Sequence, residues 1–193
     1  TTGVFITSGK CYENVEWLWG YRENDRLGGK DPYSASKACA ELVSSAYMES
    51  FFRKNGPNVA TARAGNVVGG GDWAVDRVIP DCVRAWAEGQ PVHIRNPQAT
   101  RPWQHVLEPV SGYLVLGQKL FQGDSRVKNQ SFNFGPHTQV NQPVSDLICE
   151  MARFWPSAKW KAKQEKDSKK PESTLLKLNC DKALQMLRWD AVL

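Results

Sequence analysis

The order of strand-like and helical segments along the chain predicts an α/β fold with parallel strands. Two observations carry this prediction. Short apolar runs of strand length recur along the chain, and longer segments with helical periodicity stand between them. The chain has 193 residues, 41% of them hydrophobic, which is enough for one ordinary domain with a buried core.

The elements of the first half follow in order from the first residues. Residues 3–7 form a short apolar run that suits a buried parallel strand. A loop rich in asparagine, glycine and charge occupies residues 13–32 and carries Trp17, Trp19 and Tyr21. The pattern is helical over residues 33–52, and the Gly-Pro pair at 56–57 ends this helix.

The second half of the chain continues the alternation. Residues 58–63 are predicted to form a strand that leads into a glycine loop at residues 65–71. Further helices are predicted at 77–88, 109–120, 143–154 and 181–187, with strands at 92–94, 104–107, 131–134 and 175–178. The lysine-rich stretch 157–171 is predicted to be a strand with a mobile loop.

The formal net charge of +5 is unevenly distributed. Six lysines crowd one segment: Lys159, Lys161, Lys163, Lys166, Lys169 and Lys170. Such a run can contact phosphate-bearing polymers, but acidic residues interleave with these lysines, as they do on a solvated face. Because no RNP-like, zinc-finger or helix-turn-helix pattern accompanies the lysines, nucleic acid is not an expected partner.

Other classes of protein are disfavoured by what the sequence lacks. No stretch approaches the roughly 20 apolar residues of a membrane-spanning helix, and the first residues, an apolar run without a basic lead-in, do not predict a signal peptide. The five cysteines are widely spaced without a Cys-x-x-Cys pair, which argues against a disulfide framework and a zinc site. We therefore expect a cytoplasmic protein with neither a membrane partner nor a bound metal.

Tyr33 and Lys37 carry the clearest chemical signal. They form a Tyr-x-x-x-Lys motif at a helix start, so both side chains lie on one helix face. A nearby ammonium favours the ionised form of a phenol, which can then take a proton from a substrate hydroxyl near neutral pH. Ser8, at the end of the first predicted strand, could reach the same substrate oxygen.

These elements follow one another in a fixed order: a strand that ends in a hydroxyl residue, a helix with the tyrosine and lysine, and a strand that leads into a glycine loop. This order resembles the catalytic half of the extended short-chain dehydrogenase/reductases. Longer motifs are similar to those of the CDP-glucose 4,6-dehydratases within that family. They are Thr7-Ser8-x-Lys10-Cys11-Tyr12-Glu13-Asn14 and the segments 16–23, 62–67, 71–73, 76–81, 94–97, 100–108 and 131–136. The resemblance covers nearly the whole chain apart from the lysine-rich stretch.

The resemblance implies the C-terminal part of a doubly wound, NAD(P)-binding Rossmann-type fold and a smaller mixed α/β region that binds a nucleotide sugar. Residues 1–70 would be the remaining half of the Rossmann domain and would carry the Tyr-x-x-x-Lys motif. Residues 71–193 would form the nucleotide-sugar-binding region.

The resemblance also implies roles for individual residues. Tyr33 would be the base and Lys37 its electrostatic partner and a ligand of the cofactor ribose. Ser8 would hydrogen-bond the 4-hydroxyl of the sugar, Lys10 stands where the family has a residue acting at C5, and Arg63 is a further expected cofactor contact. The expected substrate-binding residues are Thr7, Asn66, Arg77, Arg95, Arg101 and His105, with Arg95 and Arg101 on the diphosphate.

Structural alternatives stay open for several of these residues. The arginines could form surface salt bridges, Asn66 could cap a loop, and His105 could be a packed or capping histidine.

Two departures from the family bear on activity. The family has an aspartate where Gly9 stands, and that acid would protonate the leaving C6 hydroxyl, so loss of water is expected to be impaired. The family also opens with a strand and a Gly-x-x-Gly-x-x-Gly turn that cradles the cofactor diphosphate, and the 193 residues contain no such motif. We therefore expect a truncated protein without the N-terminal half of the NAD site.

The resemblance implies a lyase that converts CDP-glucose to CDP-4-keto-6-deoxyglucose with bound NAD, for deoxysugar synthesis of surface polysaccharide such as lipopolysaccharide O-antigen. A homodimer is the expected assembly of the complete protein. Two alternatives stay open. One is a nucleotide-sugar epimerase, which needs Ser8, Tyr33 and Lys37 but no acid at position 9. The other is a non-catalytic module that binds anionic polymer through the lysine-rich stretch.

Overall fold

The computed structural model describes residues 1–137, 139–162 and 176–193. Its helices are α1 (Pro32–Tyr47), α2 (Val78–Ala87), α3 (Leu107–Phe121), α4 (Val144–Arg153) and α5 (Asp181–Leu187). Its strands are β1 (Thr2–Ile6), β2 (Asn58–Ala64), β3 (Asn66–Val68), β4 (Val92–Ile94), β5 (Thr100–Arg101), β6 (Trp103–His105), β7 (Ser131–Phe134), β8 (Gln142–Pro143) and β9 (Trp160–Ala162). A 3-10 turn at Gly9–Cys11 follows β1, and a π-helical turn at Met48–Phe52 continues α1.

The predicted α/β fold with parallel strands is confirmed. A three-stranded parallel sheet in the order β1-β2-β7 forms the centre of the molecule. The four later helices lie within two residues of the predicted bounds at each end, and the strands predicted at 92–94 and 131–134 are β4 and β7.

β1 differs from its prediction in burial. Among the described residues it pairs with β2 alone, so it is an edge strand of the sheet. Phe5 is 40% exposed and Ile6 57% exposed. The parallel strand predicted at residues 3–7 is therefore present as β1, but its predicted burial is wrong, because no described strand pairs with the second edge of β1.

Helices pack on both faces of the central sheet. Because side chains alternate along a strand, Ala60 and Ala62 of β2 lie on one face and Thr61 and Arg63 on the other. The alanines belong to an apolar core shared with α3, β7 and α5. On the opposite face, Thr61 and Arg63 bind Glu41 of α1. This layering places α1 directly over the C-terminal ends of β1 and β2.

A second apolar cluster is formed by α2, α4 and the parallel β4–β9 pair. Its buried members include Cys82 and Trp86 of α2, Ile94 of β4 and Ile148 of α4. β7 and α5 lie beyond residue 70 and yet pack with the central sheet. The division of the chain into two parts at residue 70 stays a prediction.

The loop at residues 13–32 packs through its aromatic side chains. Tyr21 stacks on Tyr12 with the ring centroids 5.3 Å apart, and the Trp17 ring lies 5.3 Å from that of Tyr21. Tyr21 also forms a single β-bridge with Leu178. Within the described residues this bridge stands in place of the strand predicted at 175–178.

The lysine-rich stretch is only partly described. β9 supplies a strand there, whereas residues 163–175 lie outside the described residues, so the loop prediction and most of the crowded lysines fall on them. The five cysteines, all of which the structure describes, carry free thiols. Over the described ranges, each helix is too short or too polar to cross a membrane.

Candidate active site

The C-terminal ends of β1 and β2 open into a cavity of about 570 Å³. Ligands of doubly wound sheets bind outside this edge of the strands. Six of the predicted site residues line the cavity: Thr7, Ser8, Lys10, Tyr33, Asn66 and Arg77. The structure thus brings two hydroxyls, a phenol, an amide and two cations to one space.

Ser8 is placed by the local geometry at the end of β1. Its backbone is extended, with φ −163° and ψ 149°, and it caps the 3-10 turn at Gly9–Cys11. The Ser8 Oγ accepts a hydrogen bond from the Lys10 backbone N–H at 3.2 Å. This turn directs both Ser8 and Lys10 to the cavity wall.

Tyr33 stands in the first turn of α1. Asp31 caps this helix by accepting a hydrogen bond from the Ser34 N–H at 3.0 Å, and Pro32 follows it. Hydrogen bonds from the Ser34 hydroxyl and N–H hold the pKa of Asp31 below its usual range. One turn after Tyr33, the Lys37 ammonium lies 5.6 Å from the Tyr33 ring centroid. The structure therefore contains the phenol–cation pair that the motif predicts.

A second, smaller cavity of about 200 Å³ adjoins the first. It shares Asn66 and Arg77 with the larger cavity and adds Arg95 and Arg101. Arg95 lies 3.7 Å from the Asp76 carboxylate, and the Arg101 guanidinium donates to the Thr100 carbonyl at 2.8 Å. Three guanidinium groups thus line this cavity together with the carboxylates of Asp72, Asp76 and Asp81.

A model of the NAD dependent epimerase/dehydratase family matches residues 2–135. The chain belongs to this family. The predicted membership of the extended short-chain dehydrogenase/reductases is confirmed, and so is the Rossmann-type fold that follows from it.

Individual relatives agree with this assignment. The chain is 48% identical over 192 aligned residues to a CDP-glucose 4,6-dehydratase of Salmonella typhimurium, an alignment that covers 96% of the chain and 53% of the relative. It therefore spans about half the length of the curated relative it matches.

Solved structures of the family share the fold. A dTDP-glucose 4,6-dehydratase of Bacillus anthracis in complex with NAD matches with a TM-score of 0.79 at 17% identity, covering 98% of this chain and 56% of that one. A UDP-glucuronic acid 4-epimerase of Bacillus cereus, bound to UDP-glucuronic acid and NAD, matches with a TM-score of 0.82 at 16% identity. That match covers 100% of this chain and 57% of the epimerase.

The structure places Arg63 in the interior rather than on a cavity wall. Its side chain is 3% exposed and forms an ion pair with Glu41 at 2.6 Å. It also donates to the Tyr12 hydroxyl at 2.7 Å and to the Glu23 carbonyl at 2.9 Å. These contacts give Arg63 a structural role in this family member, in place of the predicted contact with a cofactor.

Lys37 and His105 also lie outside the walls of both cavities. Lys37 is half-buried beside the Tyr33 ring. His105 is exposed, and its Nδ1 accepts a hydrogen bond from the Leu107 N–H at 3.3 Å. The capping alternative for His105 therefore agrees with the geometry better than a nucleotide contact does.

Sequence reasoning missed three residues at or beside the site. Tyr113 and Asp72 line the larger cavity, and Asp72 is its one carboxylate among the described residues. Burial raises the pKa of Tyr113 to about 12. Glu41 lies behind Tyr33 and Lys37 and is 2% exposed. The available signal for Glu41 was its spacing, four residues after the lysine of the motif.

Glu41 is a buried carboxylate that stays ionised. Burial raises the pKa of Glu41, but the hydrogen bond and charge of Arg63, with the hydroxyls of Thr7 and Thr61, outweigh burial and bring the pKa below its usual range. The site is thus backed by a buried ion pair that joins α1 to β2.

Proposed function

We propose that the chain is the catalytic and substrate-binding part of a CDP-glucose 4,6-dehydratase-like lyase, which converts CDP-glucose to CDP-4-keto-6-deoxyglucose. The observation that carries the proposal is the cavity that Ser8, Lys10 and Tyr33 share, with Lys37 against the Tyr33 ring. Similarity to the Salmonella dehydratase across 96% of the chain supports the choice of substrate.

The donor set at the end of β1 fits the nicotinamide end of NAD. Tyr33 is 52% exposed beside the cavity, and Lys37, whose ammonium lies 5.6 Å from the Tyr33 ring centroid, would hold the hydroxyls of the cofactor ribose. When bound, NAD supplies the acceptor for a hydride from C4 of the sugar. The sequence contains no glycine turn for the NAD diphosphate, so these residues would hold only one end of the cofactor.

The residues of the chain divide the remaining chemistry among them. Tyr33 takes the proton of the sugar 4-hydroxyl, and Ser8 orients that hydroxyl by a hydrogen bond. The Lys37 ammonium stabilises the phenolate that Tyr33 needs as a base. Lys10 would act at C5. Gly9 has no proton to give to the leaving C6 hydroxyl, so loss of water is the step that this chain performs poorly.

The diphosphate of the substrate would lie between the two cavities. Arg77, Arg95 and Arg101 line the smaller one, and Asn66 stands on the wall that both share. Guanidinium groups form paired hydrogen bonds with phosphate oxygens. Such bonds would both strengthen substrate binding and orient the sugar.

The proposal is tested with a chimaera that carries the N-terminal half of the Salmonella relative in front of this chain. With CDP-glucose and NAD, the chimaera should form reduced cofactor, measured as absorbance near 340 nm, and a 4-keto sugar. Tyr33→Phe should slow C4 oxidation by about 10²–10⁴-fold and leave NAD affinity nearly unchanged. Undiminished oxidation in Tyr33→Phe would refute the assignment of the base.

A C4 epimerase is the second candidate, and Gly9 is the observation that favours it. Epimerisation needs Ser8, Tyr33 and Lys37 but no acid at position 9. NMR of the products distinguishes the two candidates. Inversion at C4 without formation of a 6-deoxy sugar would decide for the epimerase. Loss of water by the chimaera would decide for the lyase.

The remaining expectations follow the lyase. We propose a cytoplasmic homodimer for the complete protein and a role for its product in deoxysugar synthesis for surface polysaccharide such as O-antigen. The exposed apolar residues Leu42, Val43 and Tyr47 on α1 support a partner surface on this helix.

A further inference from the structure

We propose that Glu41 is a positioning residue, which sets the place of α1, and hence of Tyr33, relative to Ser8. The inference rests on the proposed function for the roles of Tyr33 and Ser8. Its geometry and its test need neither cofactor nor substrate.

Glu41 shares a helix face with the motif. Tyr33, Lys37 and Glu41 follow one another at intervals of four residues, so they form one row along α1. The row runs from the exposed phenol, 52% accessible, to the buried carboxylate, 2% accessible. The inner end of this row is therefore where α1 is attached to the sheet.

The two carboxylate oxygens of Glu41 bind different strands. Oε1 accepts a hydrogen bond from the Thr7 hydroxyl. Oε2 accepts from the Thr61 hydroxyl at 2.9 Å and from the Arg63 guanidinium at 2.6 Å. Thr7 directly precedes Ser8, and its N–H donates to the Ala62 carbonyl at 2.9 Å. One side chain thus joins α1 to the C-terminal ends of β1 and β2.

Apolar contacts contribute little to holding α1 in its position. Its buried residues are Ser34, Ala38 and Glu41, of which only Ala38 is apolar. The larger apolar side chains of α1, such as Leu42 and Val43, are each 57% exposed. Ala38 is the one buried apolar residue of Pro32–Tyr47, and the buried Met48 follows only in the π-helical turn, seven residues after Glu41. We therefore assign the placement of the N-terminal half of α1 to the directional hydrogen bonds of Glu41.

The test follows the environment of Tyr33 by ¹⁹F NMR of the chain labelled with 3-fluorotyrosine, with the Tyr33 resonance assigned from Tyr33→Phe. Thr7→Val removes the hydrogen bond to Glu41 on the side of the site and leaves the ion pair with Arg63 intact. Thr61→Val removes a hydrogen bond of the same carboxylate on the side away from the site. Urea unfolding of each variant measures the accompanying loss of stability.

We expect Thr7→Val and Glu41→Gln to shift the Tyr33 resonance by more than its linewidth, and Thr61→Val to leave it in place at a comparable loss of stability. Thr7→Ser, which keeps the hydroxyl, should restore the wild-type resonance. This variant separates the hydrogen bond from any direct effect of the Thr7 methyl group on the cavity.

Three results would overturn the inference. They are an unmoved Tyr33 resonance in Thr7→Val, an equal shift in Thr61→Val, and a shift in Thr7→Ser as large as that in Thr7→Val. If Glu41→Gln does not fold, the threonine variants still decide. Failure of the proposed enzyme activity would leave these resonances unaffected, so the two hypotheses fail separately.

Discussion

Gly9 lies where β1 turns toward the cavity, and its neighbours limit what can replace it. A Cβ at this position would lie 3.2 Å from the Ala64 carbonyl oxygen and 3.2 Å from a Leu178 methyl carbon. An aspartate, which the dehydratases have here, therefore needs Leu178 to move. We expect Gly9→Asp to destabilise the chain by about 1–3 kcal/mol in urea unfolding, because it overpacks a buried position.

Two variants serve as controls for Gly9→Asp. Gly9→Ala adds only the Cβ and should cost less than the aspartate. Shortening the obstructing side chain in Gly9→Asp/Leu178→Ala should make the aspartate less costly than it is beside Leu178. If Gly9→Asp is as stable as the wild type, Leu178 yields freely and Gly9 is not fixed by packing.

At the scale of residues, local spacing predicted part of the site and missed the contacts between distant segments. Tyr33 and Ser8 could be found because each is identified by its immediate neighbours in sequence. The pairing of Glu41 with Arg63 joins residues 22 positions apart and requires the strand order to be known. Arg63 was expected to contact the cofactor on the family resemblance alone, and the carboxylate that holds it could not be located from the sequence.

At the scale of elements, a buried polar network joins α1, β2, β7 and the loop at 13–32. Arg63 links Glu41 to Tyr12, and the Tyr12 hydroxyl donates to the Asn133 side-chain oxygen at 2.7 Å. The Asn133 N–H donates to the Glu23 carboxylate at 2.9 Å. The periodicity of the sequence predicted these elements, but the polar groups that join them gave no periodic signal.

The two carboxylates of this network have opposite pKa shifts. The pKa of Glu41 is lowered, since Arg63 and the two hydroxyls outweigh burial, whereas burial raises the pKa of Glu23. Ionised Glu41 therefore stabilises the fold above the pKa of an unfolded glutamate, and this contribution is lost as the pH falls through its lower folded value. Ionisation of Glu23 destabilises the fold as the pH rises through the unfolded value toward its raised folded value.

We expect Glu41→Gln to cost about 3–5 kcal/mol at pH 7, because it leaves Arg63 buried without a counter-charge. The difference in unfolding free energy between this variant and the wild type should shrink as the pH falls below the pKa of an unfolded glutamate. Glu23→Gln should show the opposite pH dependence. Its free energy of unfolding should increase relative to that of the wild type as the pH rises from acid to neutral. Urea unfolding between pH 3 and pH 7 measures both, and parallel pH profiles of the two variants would contradict the assignment.

At the scale of the whole molecule, one side of the central sheet carries exposed apolar side chains. Ile6 on the edge strand β1 is 57% exposed, and Leu114 and Phe121 on α3 are 69% and 82% exposed. The chain spans about half the length of its Salmonella relative. We expect the additional half in the chimaera to cover this apolar surface. We expect the chain alone to bind the dye ANS and to self-associate, both more strongly than the chimaera does.

Neighbouring positions on α3 allow this surface to be tested. Leu116 is fully buried, and Leu116→Ala should cost about 2–5 kcal/mol in either protein. Leu114 is largely exposed, so Leu114→Ala should change the free energy of unfolding of the chain alone by less than about 0.5 kcal/mol. In the chimaera, burial of Leu114 by the added half should raise the cost of Leu114→Ala above about 1 kcal/mol, while the cost of Leu116→Ala stays the same. An equally small effect of Leu114→Ala in both proteins would mean that the N-terminal half packs elsewhere and that this face of α3 stays open in the complete enzyme.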